Sequence, residues 1–367
     1  MSQTNWRHFD FWLLGAVALM TIFGITMIRS AVAGNIELET ANIVQRQLIF
    51  AVLGFIVVFV VSIIDYHLWA SISRPMYIVT VVFLGALTIA GQALYGSARW
   101  FDTGVILIQP SEIAKIVVIL VLSDFFARNI DKLDNLAWIG RSLLFTLGIV
   151  VWIILQPNLS TSLVILAIWF SLLWASGLKL KYLFFFGGIG LVAPFAAFPF
   201  LADYQKQRIL NFLVSNPNAT QGETYNIQQA LISIGSGGWL GKGYNQGTQV
   251  HLRFLKVRWS DYIFSATAEE FGFVGSVIIM LLLLFIIYRC LRVARLSRDT
   301  FGALIAYGVA MLLAFQGMVN IGVNLKLLPA TGLPLPFISY GGSSLLSLLL
   351  GVGLVESVIL RHKALEF

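Results

Sequence analysis

Ten runs of apolar residues dominate this chain and decide its solvent before any motif is considered. They fall at about 11–28, 47–64, 74–92, 110–127, 142–156, 160–176, 182–200, 262–288, 301–322 and 340–360. A helix needs ~20 such residues at ~1.5 Å rise to cross ~30 Å of hydrocarbon, and these runs reach or approach that length. Small residues lie inside them, and none alternates polar with apolar as membrane-barrel strands do. The expected fold class is an all-α polytopic membrane protein of about ten transmembrane helices, a single domain over 1–367. Composition agrees, since 58% of residues are hydrophobic and 11% charged, too few charges to coat a water-facing surface.

The net charge of +7 could suggest a nucleic-acid partner, but its distribution points elsewhere. Basic residues in short loops resist translocation. With the amino terminus inside, the cytoplasmic side receives Arg7, Arg74, Arg128, Lys132, Arg141, Lys179, Lys181, the cluster Arg289, Arg292, Arg295, Arg298, and then Arg361 and Lys363. The short outer loops keep only Arg29, Arg46, Arg99 and Lys326. Both termini are thus expected in the cytoplasm, no nucleic acid is expected, and a large extracytoplasmic loop, 201–261, separates the seventh and eighth runs. Its six basic residues weigh little, because long loops cross regardless of charge. Cys290 is the single cysteine, so no intramolecular disulfide can form.

Arg7 and His8 precede an apolar run followed by Ala31-Val32-Ala33, a pattern similar to a signal-peptidase site. The run is longer than a usual signal core, so it is retained as the first helix. No internal repeat is visible, which removes the simplest sign of an inverted-repeat transporter.

Polar residues within apolar runs carry the functional information. Gln109-Pro110-Ser111-Glu112 opens the fourth run, with Pro suited to a first helical turn and Glu favourably near the positive end of the dipole. Lys115 lies three residues after Glu112 and shares its face. A structural ion pair and a functional one are equally consistent with this spacing. Left in lipid, Lys115 would cost ~2.5–3.5 kcal/mol, so it must meet a cavity or a partner, and Glu112 is the obvious one. Asp261 stands where the outer loop enters the eighth run, and helix capping explains it about as well as catalysis. Glu269 and Glu270 lie ~12 Å deeper on the same helix, and at least one must point into the bundle. Gln316 and Asn320 form a polar stripe on the ninth run, for which interhelical hydrogen bonding is the plainer account.

Gly235 to Gly243, continuing to Thr248 and Gln249, is rich in glycine and carries Lys242. It departs from the Walker pattern, with Ser236 in place of the first Gly and Gly243 in place of Ser or Thr. Either an uncommitted surface loop or a flexible cationic loop able to approach a diphosphate fits that composition. The histidines, His8, His67, His251 and His362, are scattered, and no Gly-x-Ser-x-Gly elbow is present, so conventional zinc and serine-nucleophile chemistry find no support.

Four blocks in order resemble one family: Gly96 to Trp100 with Gln109 to Lys115; Gln156-Pro157-Asn158-Leu159-Ser160-Thr161-Ser162; Ile234 to Gln249; and Asn320-Ile321-Gly322 with Leu327 to Gly332 and Pro334 to Ser344. On these the chain is identified as similar to the SEDS proteins (shape, elongation, division and sporulation), over nearly its whole length. Its short amino-terminal tail looks more like the elongation branch than the division branch. The resemblance implies a ten-helix peptidoglycan glycosyltransferase that polymerises lipid II on the outer face of the bacterial cytoplasmic membrane. A hydroxyl of one lipid II attacks the anomeric carbon of a lipid-linked glycan strand, with inversion and release of polyprenyl diphosphate.

By that resemblance Asp261 matches the family's essential acid, expected as general base, and Glu112 and Lys115 match its Glu/Lys pair. Arg99, Lys115, Arg208 and Lys242 are candidates to hold diphosphate. Trp100, Gln109, Ser111, Thr248, Gln249, Asn320 and Ser343 are the further expected substrate contacts. A divalent cation, Mg or Mn, could assist the leaving group, although no ligand set is visible and no cofactor is certain. A class B penicillin-binding protein, a transpeptidase, is the implied partner, with its membrane helix near the eighth and ninth runs. The sequence departs from the family at Asn158, where Asp is usual, at Ser160, at Lys256-Val257 in place of Pro-Glu, and at Ser260 in place of Thr. A lipid-linked precursor flippase is the alternative, using the same intramembrane pair to line a pathway. A scaffold with a vestigial site is a third reading.

Overall fold

The computed structural model describes residues 8–34, 40–95, 99–102, 107–132, 135–201, 203–214 and 222–361. Arg7, the motif residues Gly96-Ser97-Ala98, His362 and Lys363 lie outside them. Twelve helices of eight or more residues are described: α1 Phe11–Val32, α2 Ile43–Ile63, α3 Tyr66–Tyr95, α4 Pro110–Arg128, α5 Leu136–Leu155, α6 Leu159–Ala175, α7 Leu180–Ala197, α8 Asp203–Leu213, α9 Gly222–Gly237, α10 Ile263–Leu296, α11 Thr300–Asn324 and α12 Gly342–Leu360. Phe101–Asp102 and Leu107–Ile108 form a minimal antiparallel pair, and the fold is otherwise helical.

Each apolar run becomes a helix, and several helices outlast their runs. α3 begins before 74, and α10 continues past 288 through Arg289, Arg292 and Arg295. Hydropathy registers only the part that wants hydrocarbon, whereas long basic side chains let the helix proceed while their heads stay in water. Seven helices are long and apolar enough to cross a membrane; Leu159–Ala175 and Leu180–Gly190 are apolar but shorter. α4 carries Glu112, Lys115, Asp124 and Arg128, and most of its residues are buried.

The bundle has the inverted polarity that a lipid solvent demands. Ile78, Val79 and Val82 on α3 and Ile278, Leu281 and Leu284 on α10 are exposed, whereas Glu112, Lys115, Glu269, Glu270 and Glu356 are buried. The chain is a multi-pass membrane protein. α4, α11 and α12 form its centre, with α4 packed against α3, α6, α11 and α12. α2 and α12 approach closely because Gly54 and Gly353 remove side chains from the seam; a Cβ on Gly353 would lie 3.1 Å from the Val58 Cα. Ala31 and Val32, part of the stretch similar to a cleavage site, are buried at the end of the continuous α1.

The described residues of 201–261 are not an irregular loop. They contain α8, α9 and a single helical turn at Thr248–His251. Part of the Gly-rich stretch that follows α9 is committed to backbone packing. α10 breaks at Gly272, whose φ of 67° and ψ of −163° lie outside the helical region. Into that break the loop is laid backbone to backbone. Gly243 N donates to Glu270 O at 3.0 Å and Phe273 N donates to Gly238 O at 2.8 Å. A Cβ on Gly241 would stand 2.1 Å from the Glu270 carbonyl oxygen, and one on Gly272 would stand 2.4 Å from Gly241 N. Glycine is needed here for close approach, which corrects the expectation of a flexible or uncommitted loop.

Candidate active site

Asp261 lies one residue before the α10 N-cap, Tyr262, which makes no side-chain capping bond. The turn that delivers it is unusual. Val257, a β-branched residue, sits at φ 52°, and its carbonyl accepts from Ser260 N at 3.2 Å and Tyr262 N at 3.4 Å. Such backbone persists only where its surroundings hold it. They do: Ser339 Oγ donates to Ser260 O at 2.7 Å, and Tyr340 N donates to Trp259 O at 2.9 Å. From α11, Asn320 Nδ2 and Asn324 Nδ2 both donate to Asp261 O, at 3.1 and 3.0 Å. The backbone of Asp261 is fixed on two sides while its carboxylate is left for other work.

That carboxylate faces a cavity of about 220 Å³ lined by Arg208, Asn226, Val257, Tyr262, Asn320, Thr331 and Gly332 among others. Ser260 Oγ donates to Asp261 Oδ1 at 2.9 Å. Burial pushes the carboxyl above its ordinary value, and the Ser260 hydroxyl and the Arg208 charge pull it only partly back. Gly332 lies beside it; a Cβ there would stand 3.6 Å from Asp261 Oδ2.

The Glu112–Lys115 pair forms a second centre. Lys115 Nζ donates to Glu112 Oε2 at 2.8 Å, with the two residues 0% and 3% exposed. Gln109 N donates to Ser343 Oγ at 3.0 Å, which ties the start of α4 to the start of α12. The Gln156 to Ser160 segment lies between the two centres. Asn158 caps α6 by accepting from Thr161 N, and its Nδ2 reaches Ser111 Oγ at 3.5 Å. Ser160 Oγ donates to the carbonyl of Thr331, a residue of the Asp261 cavity. The departures at Asn158 and Ser160 are thus occupied by hydrogen bonds that link α4 to the cavity wall.

The remaining expected contacts divide. Arg208 and Asn320 line the cavity with Asp261, although the Asn320 amide also donates to Leu333 O at 2.8 Å, a bond to the segment between α11 and α12 and not the interhelical one expected. Gln316, one turn deeper, is 0% exposed and has neither amide atom hydrogen-bonded among the described residues. Arg99 Nε donates to Gln156 O at 2.8 Å, and Trp100 is exposed. Lys242, Thr248 and Gln249 gather instead on Glu269, which is fully buried. Lys242 Nζ donates to Glu269 Oε1 at 2.7 Å and to Thr248 Oγ1 at 2.7 Å, and Gln249 N donates to Glu269 Oε1 at 2.9 Å. These three are not among the residues lining the Asp261 cavity.

Asn226 on α9 was not legible as a site residue. Its Oδ1 is buried and has no hydrogen-bond partner among the described residues, and the residue lines the Asp261 cavity. Nothing in its type separates it from Gln228 and Gln229 nearby; only the packing of α9 on α10 aims it there. Among the described residues, no three His, Cys, Asp or Glu side chains converge.

Fold and site together define a polytopic helical membrane protein with one acid poised in a cavity and an ion pair sealed beside it. The chain belongs to the FtsW/RodA/SpoVE family, described as "Cell cycle protein", which matches residues 11–364. It is 33% identical over 371 residues to "Peptidoglycan glycosyltransferase MrdB" of Escherichia coli K12, covering 99% of this chain and 97% of that one. It is 33% identical over 359 residues to "Stage V sporulation protein E" of Bacillus subtilis, covering 95% and 96%. Among solved structures it resembles one from "Structural coordination of polymerization and crosslinking by a peptidoglycan synthase complex", with TM-score 0.80, 29% identity and coverage of 96% and 97%. The rod shape determining protein RodA of Thermus thermophilus matches with TM-score 0.70, 29% identity and 96% of each chain.

Proposed function

We propose that this protein is a peptidoglycan glycosyltransferase that joins lipid II disaccharides into glycan strands for cell elongation and shape. The observation that carries the reading is Asp261, a carboxylate held by its backbone, uncommitted to capping, and facing a cavity with Arg208 on its wall. Family membership and relatives named for this activity support it. Its ten long helices, α1 to α7 and α10 to α12, cross the cytoplasmic membrane, with Asp261 at the outer boundary, where a sugar can reach it while its lipid stays in the bilayer. The basic residues gathered at the far end of α10 support that orientation.

The reaction is a single displacement. The sugar C4 hydroxyl oxygen attacks the anomeric carbon of the lipid-linked strand, the bond from that carbon to the diphosphate oxygen breaks, and Asp261 takes the hydroxyl proton. The elevated affinity of Asp261 for a proton suits a base that must accept one near neutral pH. Arg208 faces the developing diphosphate charge, and Asn226 Oδ1 accepts from a sugar hydroxyl or amide. Glu112 and Lys115 act through the Ser111–Asn158 contact as positioning residues. Among the described lining residues Asp261 is the single carboxylate and stands with a cation, a donor set that does not fit a divalent ion held by protein alone. A crosslinking partner, a class B penicillin-binding protein, would set its helix against the exposed apolar face of α10, where Phe273, Ile278 and Leu281 lie.

The test is product chemistry. Purified protein in detergent, with lipid II and no second compartment, is expected to release glycan strands. Lipid II left unpolymerised there, but moved across the bilayer of sealed vesicles, would overturn the enzyme in favour of a flippase.

A further inference from the structure

A cavity larger than the one at Asp261 is also present. It lies at the opposite end of α10, with a volume of about 720 Å³. Two helix faces converge to make it. α10 and the residues just after it supply Leu291, Ala294, Arg295 and Arg298, spaced as one helical stripe, and α11 supplies Thr300, Ala303, Leu304 and Tyr307 in the same pattern. Trp174, in the last turn of α6, closes the third side.

The charges there are unbalanced. Elsewhere at this end arginines are occupied: Arg289 Nε donates to Asp10 Oδ2 at 2.8 Å, and Arg361 Nη1 donates to Ser357 O at 2.9 Å. Arg295 and Arg298 make no hydrogen bond or ion pair with any described residue. Asp299, the one acid of the lining, is turned to other groups, since Tyr66 OH donates to its Oδ1 at 2.5 Å and His67 Nε2 lies 3.6 Å from its Oδ2. The cavity therefore presents two guanidinium groups above an apolar floor of leucine and alanine, flanked by Trp and Tyr rings that favour a membrane interface. α10 and α11, which supply most of its lining, are long and apolar enough to cross a membrane, and their basic end is the one expected at headgroup depth.

We propose that this cavity is a binding site for an anionic phospholipid, with the phosphate between Arg295 and Arg298 and an acyl chain along Leu291, Ala294 and Leu304. Charge complementarity selects the headgroup, and the apolar floor selects a lipid over a free anion or an acidic peptide. The site is independent of the catalytic proposal, because no residue of the Asp261 cavity takes part.

The experiment measures phosphatidylglycerol binding to the purified full-length protein in detergent, with phosphatidylcholine of the same chains and inorganic phosphate as comparisons. Each basic group near an anionic surface is worth about fivefold, so Arg295→Gln/Arg298→Gln is expected to weaken phosphatidylglycerol binding roughly 30-fold. Ala303→Trp, which fills the apolar floor and keeps both arginines, is expected to abolish it. Arg74→Gln removes the same charge outside the cavity and is expected to change it less than twofold. The proposal is overturned if the double variant binds like the parent, if Arg74→Gln weakens binding as much as Arg295→Gln, or if phosphatidylcholine or inorganic phosphate binds as tightly as phosphatidylglycerol.

Discussion

Glu112 and Asp261 are both carboxylates withdrawn from water on neighbouring walls of the same bundle, and the structure treats them oppositely. Glu112 has a lysine at 2.8 Å and almost no exposure. Asp261 has one neutral hydroxyl on its carboxylate and an open cavity before it, while its backbone carbonyl receives two asparagine amides. Desolvation without a paired cation raises proton affinity, and desolvation with one holds a charge in place. The first arrangement suits a group that must exchange a proton, the second a group that must keep its position.

Four variants sharpen that contrast. The largest effect on folding belongs to Lys115→Ala, which strands a buried carboxylate and is expected to cost about 3–5 kcal/mol in denaturant unfolding. Glu112→Leu/Lys115→Met should recover most of that loss while leaving polymerisation impaired, if the pair is positional. Lys242→Met removes the partner of the fully buried Glu269 and is expected to cost about 1–3 kcal/mol, read as a lowered Tm. Asn226→Leu leaves packing in place but removes the free acceptor of the cavity; about a tenfold fall in kcat/KM is expected, with Tm unchanged.

Arg208→Gln has the smallest effect on folding and the most diagnostic one on activity. Its charge lowers the Asp261 proton affinity, so losing it raises that affinity further. The base works deprotonated, and rate is lost as pH falls through its pKa. The acid limb of the pH–rate profile should therefore move to higher pH, and the plateau rate should fall as well, because the developing diphosphate charge loses its cation. An unmoved limb would separate Arg208 from Asp261.

The helices were legible because lipid imposes one rule, uninterrupted apolarity, on every spanning segment. Asp261, Glu112 and Lys115 were legible for the converse reason, since charges are conspicuous where hydrocarbon is the solvent. The commitments of neutral polar residues were not. Asn320 and Gln316 look alike in sequence, yet one holds the Asp261 carbonyl and the other is buried without a partner among the described residues, a difference set by where α11 meets the 257–261 turn. The Gly-rich stretch suggested an anion loop because composition cannot distinguish glycine that frees backbone for a ligand from glycine that lets two backbones touch. Gly241 and Gly272 are of the second kind.

The central claim is that Asp261 is a base maintained at a cost to folding. Its folded pKa is raised, so the stability it contributes is present below the ordinary value of 3.8 and is lost as pH rises through the folded value; at neutral pH the parent carries the penalty of a partly desolvated carboxylate. The decisive measurement is the rate of glycan-strand formation from lipid II by purified Asp261→Asn, with Tm recorded on the same sample at pH 7. A rate reduced about 10²–10⁴-fold with Tm equal to or above the parent's is predicted. Polymerisation at the parental rate, or a loss that appears only with a lowered Tm, would contradict it.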